Sequence, residues 1–232
     1  MLATVRRDVR AVRDRDPAAR TSPQIVLCYP GLHAVWAYRL AHRLWCRDHQ
    51  LLGRLVAMVA RMLTGVDIHP GAVLGPGLFI DHALGVVIGE TAKVGEDVTL
   101  YQGVTLGGTS LAPGKRHPTL GDRVTVGAGA KVLGPIEIGH GSRIGANAVV
   151  VRPVPPNSVV VGVPGQIISR SRRTAGGRLD LDNAHVPDLV GVSVQQLLAR
   201  VDRLETAADG NVAASDIRPP TSGIWPGEDF AI

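Results

Sequence analysis

Aromatic side chains are scarce in this chain: three Trp, three Tyr and two Phe among 232 residues. A core built on large rings is therefore excluded, and whatever fills the interior must be small and aliphatic. Cysteine is equally sparse. Cys28 and Cys46 are the two thiols present, too few for a disulfide-stapled scaffold. Both fall in stretches of helical character and read as free, buried thiols of an intracellular chain. No apolar run reaches the ~20 residues that a membrane span needs. The longest, from Leu51 to Val66, is broken by Arg54 and Arg61 and reads as a packing helix. The N-terminus holds Arg6, Arg7, Asp8, Arg10 and Arg13 where a secretory leader has its apolar core. A cytoplasmic location without a membrane partner is expected.

Glycine and proline are plentiful, at 28 and 16 residues, beside a 45% share of hydrophobic side chains. That balance allows a sizeable core and favours a repetitive, turn-rich backbone packed by small aliphatic groups. Charge is uneven: the formal net charge is +5, and residues 1–63 hold eleven Arg against four Asp. These arginines are spread around the helical stretches with few aromatics to stack bases, so no nucleic-acid partner is expected.

Up to about residue 63, helical spacing recurs in pieces, as in Ala34, Tyr38, Ala41 and Leu44, punctuated by Pro17, Pro23, Pro30 and Gly31. From Val66 a six-residue beat takes over. Its aliphatic anchors are Ile68, Leu74, Ile80, Ile88, Val94, Leu100, Leu106, Leu120, Val126, Val132, Ile138, Ile144 and Val150. Gly often follows the anchor, as at Gly75, Gly89, Gly127 and Gly145, where a sharp corner favours a residue without Cβ. A second small or aliphatic residue comes four places after the anchor, as at Ala72, Ala92, Val104, Ala130 and Ala148. Three such units close one triangular turn of a parallel β-helix, each anchor stacking on those of the turns above and below.

The beat breaks between Ile80 and Ile88 and again between Leu106 and Leu120. Breaks in a solenoid become loops, and loops carry function. After Val163-Pro164-Gly165 an exposed linker follows, with Arg170, Arg172, Arg173, Gly176 and Gly177. Ser193 and Gln196 form a capping box that should open a helix whose apolar face is Val194, Leu197, Leu198, Val201 and Leu204. The coil-like tail carries Trp225, Phe230 and Ile232, large apolar groups that suit a docking peptide.

Histidine is the side chain best suited to proton transfer near neutral pH. His82 follows Asp81 just before the first break, and Asp67 lies one approximate solenoid turn upstream. If stacked, Asp67 could hold one imidazole nitrogen and leave the other as a base. A corner histidine with a structural bond is the competing reading. The long loop carries Lys115, Arg116, His117 and Pro118 after Gly107, Gly108 and Thr109. A basic loop of this kind either binds a carboxylate or is simply solvated.

Taken together, six segments resemble the serine acetyltransferase signature in order and spacing. They are Asp67-Ile68-His69-Pro70, Ile80-Asp81-His82-Ala83, Gly89-Glu90-Thr91-Ala92, Gly103 to Thr109, Arg116-His117-Pro118 and Gly127 to Gly134. The resemblance runs from about Arg13 to Ile168 and includes Asp14-Arg15-Asp16-Pro17-Ala18. It implies a mainly β fold: a left-handed parallel β-helix over 64–168, an N-terminal helical segment over 1–63, and a C-terminal linker, helix and partner-binding tail over 169–232. It implies transfer of acetyl from acetyl-CoA, a co-substrate, to the L-serine hydroxyl, with no metal required.

By the same resemblance His82 is the general base and Asp67 its orienting carboxylate. Asp16 and Asp81 hold the serine ammonium, and Arg116 and His117 face its carboxylate. Gly108, Ala128 and Ala146 contact CoA through backbone, with Arg143 beside the phosphates. Direct transfer is implied, since neither Cys28 nor Cys46 lies in the motifs. Also implied are active sites between neighbouring β-helices of a homotrimer, feedback inhibition by L-cysteine, and docking of Ile232 into O-acetylserine sulfhydrylase. A trimer is favoured over a dimer of trimers because the longer N-terminal helical domain of hexameric relatives is lacking.

Three alternatives compete with this reading. A hexapeptide acetyltransferase with a sugar or other small acceptor leaves Asp16 and the Arg116-His117 pair unexplained. A zinc enzyme like the γ-class carbonic anhydrases would use His82, His117 and His140, at spacings that lack that family's pattern. A non-catalytic scaffold would act through its tail alone.

Overall fold

The computed structural model describes residues 2–170 and 189–208. Packing separates two units, Met1–Leu181 and Asp182–Ile232. The first unit opens with four helices: α1 (Leu2–Arg15), α2 (Ser22–Cys28), α3 (Pro30–Trp45) and α4 (Gln50–Thr64). Proline at the first turn starts α2 and α3, and Gly65, left-handed at φ 72°, ends α4. Polar bonds tie these helices to the strands that follow. Asp8, fully buried, pairs with Arg39 of α3 at 2.8 Å and accepts the Gly77 amide at 3.0 Å. Tyr38 donates to the Ala72 carbonyl at 2.5 Å and accepts the Leu74 amide at 3.2 Å.

The strands form a three-sided solenoid. Face A stacks β1 (Asp67–Ile68), β4 (Val87–Ile88), β7 (Thr105–Gly107), β10 (Lys131–Leu133) and β13 (Val149–Val150). Face B stacks β2 (Val73–Leu74), β5 (Lys93–Val94), β8 (Thr119–Leu120) and β11 (Glu137–Ile138). Face C stacks β3 (Phe79–Ile80), β6 (Thr99–Leu100), β9 (Thr125–Val126), β12 (Arg143–Ile144) and β14 (Ser158–Val161), with β15 (Gln166–Arg170) closing it. Pairing is parallel except between β14 and β15, which run antiparallel.

The hexapeptide beat explains this arrangement residue by residue. Each anchor is the inward residue of one short strand, and all thirteen anchors are 8% exposed or less. Register stacks like on like: Ile68 on Ile88, Ile88 on Leu106, Leu106 on Val132, Val132 on Val150. No coil can bury its anchors alone, so the stack supplies the core. The glycines after the anchors serve close approach, not unusual dihedrals. A Cβ on Gly127 would lie 2.7 Å from the Ala146 nitrogen of the next coil. Left-handed corner positions fall instead on residues such as Asp97, Arg123 and Asn147.

Several expectations need correction. Cys28 and Cys46 are both exposed, because each sits at a helix end that faces solvent. Helix α4 packs through Gly53 against Ala41 and Trp45 of α3 and meets β1, where Arg61 pairs with Asp67. Its other side leaves Leu51, Met62 and Leu63 more than 70% exposed. In the second unit, α5 runs Leu189–Ala208. It therefore begins four residues before Ser193, which is not its cap. Val194, Leu197, Val201 and Leu204 do share an exposed apolar stripe on it. The Arg- and Gly-rich linker after Arg170 and the tail with Trp225, Phe230 and Ile232 lie outside the described residues. Among the described residues no helix is long and apolar enough to cross a membrane.

Candidate active site

Face A has two edges, and the residues singled out in the sequence divide between them. The corners leading from face C into face A carry Asp81, His82, Tyr101, Ala128 and Ala146. The corners leading from face A into face B carry His69, Glu90, Thr91 and the long loop with Gly108, Arg116 and His117.

At the first edge, His82 and Ala83 both adopt left-handed backbone, with φ 56° and 61°. Successive non-glycine residues in that region cost about 1 kcal/mol or more each and persist where the surroundings demand them. The result turns the His82 side chain outward, 72% exposed, with Nε2 3.8 Å from Asp81 Oδ2. Burial raises the Asp81 carboxyl above its usual range, and the neighbouring Asp16 charge adds to this. Asp16 is itself positioned: its carboxylate accepts the Ala18 amide at 2.8 Å and a short bond from the Tyr29 hydroxyl. Burial, then that bond, pushes Tyr29 up to about 12. Tyr101 is also raised, by burial first and by Asp81 second, while Arg143 acts in the opposite sense. Two carboxylates, an exposed imidazole beside one of them, and two phenols thus gather at this edge. Ala128 and Ala146 continue the same edge one coil apart, the Asn147 amide donating to the Ala128 carbonyl at 2.8 Å.

At the second edge, a cleft of about 500 Å³ lies between α4 and face A, lined by Arg61, Asp67, His69, Glu90, Arg116 and His117 among others. Arg116 makes a short ion pair with Glu90, which holds that carboxyl below its usual range. Thr91 Oγ1 accepts the backbone amides of Arg116 and His117 at 3.0 and 3.1 Å, so the loop is pinned to the coil beneath it. His117 is 8% exposed, and burial followed by the Arg116 charge lowers its pKa. Gly108 sits against the same pair: a Cβ there would lie 3.3 Å from His117 Nε2.

The grouping differs from the stacked dyad in one respect. Asp67 lies on face A and pairs with Arg61 at 3.1 Å. Among the described residues no hydrogen bond joins it to His82. Asp16, Asp81 and His82 are brought together, as are Asp67, Arg116 and His117, but the two sets stand on opposite edges of face A. Tyr29 and Tyr101 carry no sequence signal of their own, while Arg61 is marked in the sequence only as an interruption of the apolar run and His69 only within Asp67-Ile68-His69-Pro70. Glu90 and Thr91 were visible only as part of a motif, with no role attached. The three histidines of the zinc alternative occupy three different corners, His140 lying between faces B and C. Among the described residues no three His, Cys, Asp or Glu side chains could hold a metal ion.

Residues 117–152 match the family described as bacterial transferase hexapeptide (six repeats). Over the full length of both chains, the sequence is 63% identical to a serine acetyltransferase of Mycobacterium tuberculosis. The chain belongs to the serine acetyltransferase family. Solved members of that family share its architecture. A Brucella abortus serine acetyltransferase in complex with coenzyme A superposes with a TM-score of 0.73 at 44% identity, covering 75% of this chain and 69% of that one. A serine acetyltransferase in complex with cysteine superposes at 0.71 and 43% identity, covering 72% of this chain and 70% of that one.

Proposed function

We propose that this protein is a serine O-acetyltransferase, moving acetyl from acetyl-CoA to the L-serine hydroxyl to give O-acetyl-L-serine and CoA, the first step of cysteine biosynthesis. The observation that carries the reading is the pairing of acidic and basic half-sites around one face. Asp16 and Asp81 suit an ammonium group, and Arg116 with His117 suits a carboxylate, which together describe a zwitterionic amino acid. A sugar acceptor gives no reason for both.

His82, outward and unencumbered, takes the serine hydroxyl proton as the oxygen attacks the thioester carbonyl. The proton then passes to the departing CoA sulfur, so no acyl-enzyme forms. CoA runs along the His82 edge, past the stacked Ala128 and Ala146 corners, and Arg143 meets its phosphates. Gly108 joins from the other edge.

Because one chain holds the half-sites on opposite edges, a neighbouring copy supplies the missing half. This favours a homotrimer of left-handed β-helices with sites at the subunit contacts, Asp67 there orienting His82. The helices of 1–63 then buttress the solenoid of 64–168, and Ile232, at the end of the 169–232 segment, docks on O-acetylserine sulfhydrylase. L-Cysteine, an isostere of serine, occupies the same site as feedback inhibitor. The exposed free thiols Cys28 and Cys46 suit a reducing cytoplasm.

Thiol release from acetyl-CoA tests the activity: turnover dependent on L-serine and absent with glucosamine supports it, and sugar-dependent turnover overturns it. Mixing His82→Ala with Arg116→Ala protein tests the shared site. Recovered activity in mixed oligomers supports it; two inactive variants that stay inactive after subunit exchange sink it.

A further inference from the structure

The Arg116 edge contains a hydrogen-bond arrangement that decides which nitrogen of His117 carries the proton. The Thr91 backbone amide donates to His117 Nδ1 at 3.2 Å. A peptide N–H can only donate, so Nδ1 must present its lone pair. The Thr91 hydroxyl lies 2.9 Å from the same nitrogen. Its oxygen already accepts the Arg116 and His117 amides at 3.0 and 3.1 Å. Its own proton is therefore directed at Nδ1 as a second donor. An Nδ1–H would face both groups donor to donor.

We propose that Thr91 is a positioning residue that locks His117 as the neutral Nε2–H tautomer, presenting a hydrogen-bond donor to the substrate carboxylate beside Arg116. Among the described residues Nε2 makes no hydrogen bond of its own. Two glycines pack closely against that side of the ring, where an added Cβ would displace it. A Cβ on Gly89 would lie 2.1 Å from Nε2, and one on Gly108 3.3 Å. The ring is 8% exposed, so water competes weakly for that donor. A neutral donor next to the Arg116 guanidinium avoids burying two like charges in one site, and the lowered His117 pKa agrees with this. Thr91 thereby serves the serine reading through His117 without touching substrate itself.

The test is nitrogen NMR on 15N-histidine-labelled full-length protein, with His117→Ala assigning the signals, alongside steady-state kinetics. Wild type and Thr91→Ser should show a pyridine-like Nδ1 and a pyrrole-like Nε2 at His117, with similar serine KM. Thr91→Val, which keeps the shape and the backbone amide and loses the hydroxyl, should weaken the preference for that tautomer. Its serine KM should rise roughly tenfold with kcat unchanged, the scale of one lost neutral hydrogen bond. An Nδ1–H tautomer in wild type overturns the proposal, as does a Thr91→Val enzyme with unaltered serine KM. So does Thr91→Ser failing as badly as Thr91→Val, which marks a purely structural role. If wild type shows no serine-dependent turnover, the reading of the activity falls instead, while the nitrogen shifts still decide the tautomer.

Discussion

On one edge of face A, His82 is placed by backbone: two left-handed residues turn its ring into solvent, and its nearest charged neighbour is 3.8 Å away. On the other edge, Arg116 and His117 are placed by side chains, through the Glu90 ion pair and the Thr91 hydroxyl. As the proposed base, His82 gains from lying exposed where substrate can meet it. As the proposed binding groups, Arg116 and His117 gain from being held before substrate arrives, since ordering them afterwards would cost affinity.

That contrast can be broken by substitution. His82→Ala should lower kcat by about 10²–10⁴-fold, the range for loss of a general base, with the Tm unmoved because the side chain is exposed. A loss in KM alone would place His82 among the binding groups and erase the distinction. Arg116→Lys should act the other way round. The planar fork that meets Glu90 and a carboxylate together is lost, so serine KM should rise roughly 10–100-fold while kcat changes little. Steady-state kinetics at saturating acetyl-CoA separates these outcomes.

Gly89→Ala sharpens the comparison without touching a charged group. A Cβ there would sit 2.0 Å from the His117 ring, so the ring must move. Overpacking of this kind costs about 1–3 kcal/mol, or roughly 2–4 °C of Tm per kcal/mol for a domain of this size. Weaker serine binding should accompany the lower Tm in thermal-shift and kinetic assays. Unchanged values on both counts would mean the Arg116 edge is looser than its hydrogen bonds imply.

The smallest effect concerns pH. Burial, then Arg54, lowers the His69 pKa, and burial, then Arg116, lowers that of His117. As pH falls through the ordinary histidine value of about 6.5, the unfolded chain takes up protons that the folded chain refuses. This part of stability is present above that value and is lost on acidification toward the lowered folded values. His69→Gln should flatten the decline of Tm between neutral pH and mild acid. A slope identical to wild type would remove His69 from the effect.

Ile68, Ile88, Leu106, Val132 and Val150 made the coil stack legible, because a six-residue repeat is a local property and each anchor needs only a like residue in the next coil. The chemistry was legible as residue types: two acids, a basic pair and a histidine beside a break. What the repeat does not encode is lateral position. Asp67 and His82, about one turn apart, were read as stacked, yet Asp67 sits on the face with Arg61 while His82 sits at a corner. An eighteen-residue coil would set position 85 beside Asp67, and the two extra residues between Ile80 and Ile88 move that partner to Val87, so His82 falls at the corner before it. The exposure of Cys28, Cys46 and the outer side of α4 likewise depends on which helix side meets its neighbours, a matter of packing and not of spacing.

The sequence by itself determined a three-sided coil with aliphatic anchors inward, and set two acids and a basic pair along it, because periodicity and residue chemistry are written locally. Only the tertiary structure decided that those charges divide between two edges of one face, and that Glu90 and Thr91 hold Arg116 and His117. Those contacts join residues about 26 positions apart through a folded loop, and no local pattern specifies where such a loop lands.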